Sequence, residues 1–270
     1  MYTRDDIIQG EKFANLADHQ YQYYSLRNTR IPLNSRIVYT DTEGVLDLYA
    51  QLIMDKREDV RVVLCHNSDK SYGFAENSNK PDWVTVFAVN LQFDMQADVF
   101  PLPIGLENDR WFPEIDKIGQ ILANQGKQVP HNSKILYANF NPATNSNERE
   151  HCLAYLRRYY PQITTIKTCT NGQKFDEYVQ DIINHYYVVS PDGNGADCHR
   201  TWESLYLGRK VILMNRWLLD HFGNKIDSAF LHLDDLKNNS RHHNLNMVKY
   251  GTIPYLFFQY WENLIKYYAK

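Results

Sequence analysis

The stretch Tyr187-Val-Val-Ser-Pro-Asp-Gly-Asn-Gly-Ala-Asp-Cys-His-Arg-Thr-Trp-Glu-Ser-Leu-Tyr-Leu-Gly208 runs from an apolar segment through a glycine turn into a segment of helical period, and a second apolar run follows at 210–213. That order is the repeating unit of a parallel sheet covered by helices. Upstream the same alternation continues, with strands at 134–138, 163–167 and 186–190 and helices at 147–159, 174–185 and 198–207. Together these predict an α/β domain of Rossmann type.

In the first half, strands are expected at 36–39, 60–65, 83–88 and 98–102, and a helix at 43–54, enough for one doubly wound sheet. The turn-rich segment 124–133, with Gly126 and Pro130, separates the halves. The expected domains are therefore 1–129 and 130–253. The tail 254–270 carries Tyr255, Leu256, Phe258, Trp261, Leu264, Ile265 and Tyr268 at helical spacing, as a helix crossing back to the N-terminal domain. No internal repeat or low-complexity tract interrupts the pattern.

Composition narrows the function classes. The chain has 270 residues, 43% hydrophobic and 23% charged, enough for two domains with substantial cores. A net charge of -3, from 29 basic and 32 acidic side chains, gives no field to gather nucleic acid or anionic lipid. Twenty Tyr and five Trp suit both cores and sugar faces. No apolar run approaches the ~18 residues of a membrane span, and residues 1–13 are too polar for a signal peptide. Cys65, Cys152, Cys169 and Cys198 form no C-x-x-C pair, so the expectation is a soluble, cytoplasmic, reduced protein.

The chemistry concentrates in the 187–208 loop. Glycines permit positive φ and close backbone approach, and a helix starting near Asp197 offers unpaired N–H groups and a positive dipole end. Arg200 in its first turn can neutralise phosphate, and Glu203 can accept hydrogen bonds from ribose hydroxyls. A cation for a diphosphate followed by a carboxylate for a diol is what a nucleotide sugar requires. Taken alone, Gly-Asn-Gly is equally a plain strand-to-helix turn with Asp197 as N-cap. The dinucleotide G-x-G-x-x-G spacing and the P-loop lysine are absent.

At these residues the sequence resembles the exostosin-type glycosyltransferases, in particular the ribitol xylosyltransferase-like branch. Their order of Ser-Pro, a Gly-rich turn, Arg, an aromatic residue, Glu-Ala-Leu, Gly and an Ile/Val strand is similar to 190–213 here, with Ser204 in place of the usual Ala. Further likenesses are His66-Asn-Ser-Asp69, Pro103-Ile-Gly-Leu-Glu-Asn108, and Asn139-Phe-Asn-Pro-Ala-Thr-Asn145 with Arg149. The resemblance spans roughly 60–213. It implies glycosyltransferase-B architecture, two Rossmann-like domains facing across a cleft, and an inverting reaction. Many members of the family are membrane-anchored, so a bacterial or viral enzyme acting in the cytoplasm fits this chain better. Small soluble xylosyltransferases of large algal viruses are similar. UDP is then the expected nucleotide, and UDP-xylose one of the sugars it could carry.

An inverting transfer needs a base on the acceptor hydroxyl. Asp69 is the first candidate and His66 the second, with Glu107 and Asp94 behind them; a polar turn is the plain alternative for 67–69. Asn67, Glu107, Trp111 and Tyr72 are the expected acceptor contacts. Donor contacts are expected from Ser190, Gly193, Asn194, Gly195, His199, Arg200, Glu203, Arg149 and Asn141, although Arg149 could instead be a solvated partner of Glu148 or Glu150. No D-x-D motif occurs; Asp41-Thr-Glu43 comes nearest and reads as a helix cap, so no metal or other cofactor is expected. His242-His243, beside Arg241, reads as a polar loop. The partners implied are a nucleotide sugar and a glycan or glycoprotein acceptor, with no nucleic acid and no membrane span. The rival classes are an NAD-dependent enzyme modifying nucleotide sugars and a non-catalytic carbohydrate-binding protein.

Overall fold

The computed structural model describes residues 1–23, 26–111, 113–131, 134–168, 173–226, 229–238 and 253–270, side chains 223–225, 237 and 238 excepted. Cys169 and the stretch 241–243 lie outside the described residues. Two compact units are present, Ile8–Asn108 with Phe257–Lys270, and Asp109–Leu256 with Met1–Ile7. Their division falls after Asn108, ahead of the 124–133 turn, because α4 (Lys117–Ala123) packs with helices of the second unit.

The first unit opens with α1 (Gly10–Leu16). It contains β1 (His19–Gln20), the antiparallel ribbon β2 (Gln22–Tyr23) and β3 (Leu26–Arg27), then β4 (Ile37–Thr40), α2 (Val45–Met54), β5 (Val62–Cys65), α3 (Phe74–Ser78), β6 (Thr85–Ala88) and β7 (Val99–Pro101). Every residue of β4 and β5 is buried, as strands covered on both faces require. The five-stranded parallel sheet runs β1-β4-β5-β6-β7. This corrects the doubly wound expectation, since each strand adds to the same edge and the order never reverses. The two-residue strand β1, too short to leave a periodic signal, takes the place beside β4 that a reversal would have filled. The C-terminal helix Phe258–Tyr268 belongs to this unit. Its Tyr268 ring packs against Phe87 and Phe100, which pair in register on β6 and β7, and its Phe258 meets Phe13 of α1.

The second unit contains α4, β8 (Leu136–Asn139), α5 (Ser146–Tyr159), β9 (Thr164–Lys167), α6 (Phe175–Ile183), β10 (Tyr187–Ser190), α7 (His199–Tyr206), β11 (Lys210–Leu213), α8 (Trp217–Ile226), β12 (Phe230–His232) and α9 (Asp235–Asn238). Its parallel sheet runs β12-β11-β10-β8-β9. Crossovers on either side of the β8/β10 boundary proceed in opposite directions, so right-handed connections place helices on both faces. One layer buries Leu136, Ala138, Val189 and Ile212 of the sheet against Cys152, Leu153 and Leu156 of α5. α7 stops at Gly208, whose φ of 74° provides the left-handed residue that lets Arg209 N–H reach back to the Ser204 carbonyl at 2.8 Å.

In open α/β sheets, ligands bind beyond the carboxyl ends of the strands where the order reverses. Only the second sheet reverses, between β8 and β10. The segments leaving those two strands begin at Phe140 and Pro191.

Candidate functional site

Ser190 ends β10, and its Oγ lies 3.0 Å from Oγ1 of Thr201 on α7. Both are buried, so Ser190 ties the strand to the helix that follows it. The chain then turns tightly, Gly193 N–H donating to the Gly195 carbonyl at 3.0 Å. Neither glycine has positive φ, which corrects the expectation from sequence. Gly193 serves instead by close approach: a Cβ there would lie 3.0 Å from Arg149 Nη2 and 3.4 Å from Cys198 Sγ. Asn194 is exposed and Gly195 buried.

Cys198, not Asp197, occupies the N-cap of α7, and it makes no side-chain cap. The buried Asp197 carboxylate accepts the indole N–H of Trp202 at 2.8 Å, which orients the loop against the core. In the first turn of α7, Thr201 N–H donates to the Cys198 carbonyl at 2.9 Å. His199, half-buried, is the first helical residue.

Arg149 stands in the first turn of α5 and is buried. Its Nε donates to the Asp192 carbonyl at 2.7 Å and its Nη1 to the Asn141 carbonyl at 2.8 Å, joining the loop after β8 to the loop after β10. It is thus neither solvated nor bonded to the carboxylates of Glu148 and Glu150. Asn141 itself is exposed and caps the following turn through Oδ1, which accepts from Ala143 N–H at 3.0 Å. Arg200 lies with its guanidinium carbon 5.5 Å from the centroid of the Phe140 ring, and Arg149 lies 5.8 Å from the same ring. Burial, then the neighbouring Arg200 charge, lowers the Arg149 pKa below the ordinary guanidinium value. Nη1 of Arg200 is buried without a hydrogen-bond partner, and neither arginine forms a salt bridge among the described residues. Two cations held together without a direct ion pair, although the charge of Glu148 reaches Arg149, offer a seat for an anion.

Glu203 stands one turn beyond Arg200 and is 7% exposed. Its Oε2 accepts the Tyr178 hydroxyl of α6 at 2.7 Å. On the same face of the second sheet, Asn139 donates to the Tyr137 hydroxyl at 2.8 Å and to Gln173 at 2.7 Å, while its buried Oδ1 lacks a partner. Asp192 completes the loop. Its backbone N–H donates to Glu148 Oε1 at 2.7 Å, and its carboxylate accepts from Asn215 Nδ2. Burial first, then the Glu148 charge, pushes its carboxyl up to about 8. Tyr178 and Asn215 carry no motif, and only their pairing in space marks them; Phe140 lies in the 139–145 likeness and Glu148 beside Arg149 without a role being assigned to either.

The residues expected to bind acceptor divide differently. His66 is fully buried and both ring nitrogens are engaged, Nε2 with the Pro103 carbonyl at 3.0 Å and Nδ1 accepting Asn67 N–H at 2.7 Å. That pattern fixes a neutral tautomer with no free lone pair, so it supplies no base. Asn67, at φ 54°, donates to the Tyr39 hydroxyl and accepts from Asn108, each side-chain group already used. Tyr72 is fully buried with its hydroxyl 2.9 Å from that of Tyr49, a core position rather than an acceptor contact. Asp69 is exposed beyond the end of β5, and Glu107 half-buried beyond β7. Trp111 is 54% exposed, belongs to the second unit, and carries the Arg110 guanidinium 5.1 Å from its ring. Asp41 sits at the N-cap of the short turn Thr42–Gly44 without a side-chain cap bond.

Among the described residues no group of three or more His, Cys, Asp and Glu side chains is placed to hold a metal ion, and no helix is long and apolar enough to cross a membrane. No protein-family model matches the chain, and no curated protein matches it.

Proposed function

We propose that the unit built on β8–β12 binds a nucleoside diphosphate sugar, and that the chain is an inverting glycosyltransferase of the glycosyltransferase-B, exostosin-like class, transferring to a glycan hydroxyl. The observation that carries this reading is the buried Arg200 Nη1, unpartnered beside Arg149 where the strand order of the second sheet reverses. A buried donor without an acceptor costs on the order of 1 to 3 kcal/mol, a cost removed when a diphosphate oxygen arrives. Glu203, one helical turn away, supplies the complementary acceptor for ribose hydroxyls.

In the proposed reaction Asp69 takes the proton of the acceptor hydroxyl, whose oxygen bonds to the anomeric carbon as the bond from that carbon to the diphosphate oxygen breaks. Arg149 and Arg200 receive the charge that develops on the leaving diphosphate. The sugar, with xylose the first to try, and the acceptor glycan are choices for the screen. Thermal shift and calorimetry with UDP, GDP, ADP, CDP, their sugar conjugates and NAD test the assignment. Stabilisation by one nucleoside diphosphate, lost in Arg200→Met, supports it; stabilisation by NAD with no response to any diphosphate overturns it.

A further inference from the structure

We propose that Tyr178 is a positioning residue that fixes the carboxylate of Glu203, and that the pair makes the site selective for a ribose bearing both of its hydroxyls. This rests on the nucleoside-diphosphate reading above. Glu203 is a buried carboxylate with one hydrogen-bond partner among the described residues, the Tyr178 hydroxyl, and no ion pair. A buried charge ordinarily gathers a cation or several donors, because an unfilled carboxylate lone pair is costly away from water. The phenol takes Oε2 alone, and Oε1 has no partner among the described residues and is not sealed from solvent.

The phenol is a dependable donor. Burial, then the negative charge of Glu203, holds its pKa well above the ordinary tyrosine value, so it stays protonated across the working pH range. Tyr178 lies on α6 and Glu203 on α7, so the bond spans two helices and sets the plane of the carboxylate. With Oε2 committed, Oε1 is the place left for new donors. A vicinal diol presents two O–H groups side by side to such a carboxylate. A 2′-deoxy sugar presents one and leaves an acceptor unfilled.

The surrounding polarity agrees. Asn139 Oδ1 is a buried acceptor without a partner, on the sheet face that also holds Tyr137, whose field reaches Tyr178. Acceptors are thus in excess on the Glu203 side and donors in excess on the Arg200 side. A nucleoside diphosphate has the opposite order, with O–H and N–H groups at one end and phosphate oxygens at the other.

The test uses the full chain and the ribonucleoside diphosphate, chosen from UDP, GDP, ADP and CDP, that raises the melting temperature most, together with its 2′-deoxy form. Wild type is expected to bind the ribose form at least ~10-fold more tightly, the scale of one charge-assisted hydrogen bond. In Tyr178→Phe that ratio falls to below ~3-fold, because the carboxylate loses its orientation. Arg200→Met weakens both ligands together and leaves the ratio near that of wild type. If Tyr178→Phe does not fold, Tyr178→Met, which also lacks the donor and fills the space with an adaptable chain, takes its place. An unchanged ratio in the folded Tyr178 variant removes the positioning role and leaves the nucleotide reading standing. Equal binding of both sugars by wild type removes the ribose role of Glu203, and Tyr178 with it. Binding of no diphosphate by wild type removes both readings.

Discussion

Nη2 of Arg149 lies 3.0 Å from the point where a Cβ on Gly193 would sit. The glycine turn is therefore shaped by the arginine behind it. Gly193→Ala pushes the guanidinium away from the loop while its hydrogen bonds to the Asp192 and Asn141 carbonyls hold it back. Overpacking of this kind costs roughly 1 to 3 kcal/mol. The expected outcome is a loss of nucleoside-diphosphate affinity of about tenfold, read by calorimetry, with the far-UV circular dichroism unchanged. Wild-type affinity in Gly193→Ala would show that the turn tolerates the methyl and does not touch the ligand.

The two arginines should part company when each is replaced by Met. Arg200→Met removes a buried donor that has no partner, so the melting temperature holds or rises while diphosphate affinity falls by ~10-fold or more. Arg149→Met removes the donor to the Asp192 carbonyl and one of the two donors to the Asn141 carbonyl, which keeps Thr144 N–H, and should cost about 1 to 3 kcal/mol of stability in denaturant titration. Equal destabilisation by both replacements counts against the separation of anion seat from structural brace.

Asp192 gives the site a pH dependence of defined sign. Its carboxyl is pushed up to about 8, by burial first and by Glu148 second, whereas in the unfolded chain it titrates near the ordinary carboxylate value. Between those limits the folded state binds the extra proton. The contribution of this group to stability is thus fully present in acid, declines as pH rises from about 4 towards 8, and is gone above that. Above 8 a second carboxylate also stands in the loop proposed to hold phosphate. Melting temperatures of wild type and Asp192→Asn should diverge across this window, the variant being the flatter of the two. Parallel curves would leave Asp192 no role in the slope.

Asp69 and His66 are neighbours in sequence with opposite fates. Asp69→Asn should abolish transfer while leaving diphosphate affinity within about twofold of wild type. His66, with both nitrogens bonded, should lower stability on replacement by Ala and leave the pH profile of turnover without a new limb. Turnover in Asp69→Asn at wild-type rate would move the base elsewhere, with Glu107 next to be tried.

Local pattern was enough to read the strand-turn-helix at 187–208, because apolar runs, glycines and helical period are properties of neighbouring residues. Arg149, Arg200 and Glu203 were visible for the same reason, as charges beside a turn. The bonds that decide their environment join residues distant in sequence. Tyr178 reaches Glu203 only because α6 and α7 pack together, and the nitrogens of His66 are occupied only because Pro103 returns to it. The strand order failed at β1 because two residues carry no period. Of the two properties a glycine offers at 193, close approach and positive φ, the structure uses the first, leaving space for a guanidinium.

The C-terminal helix, described with the first sheet, has a consequence for how the chain is made. That sheet needs Phe258 and Tyr268 to cover Phe13, Phe87 and Phe100, so its hydrophobic core stays incomplete until the segment 257–270 has left the ribosome. The second unit, although encoded later than most of the first, has all its segments by Leu256 and is able to finish first. Contacts closed over so long a loop form late and slowly. Residues 8–108 must therefore wait, partly uncovered, for the segment 257–270, a window in which chaperone binding and aggregation compete with folding.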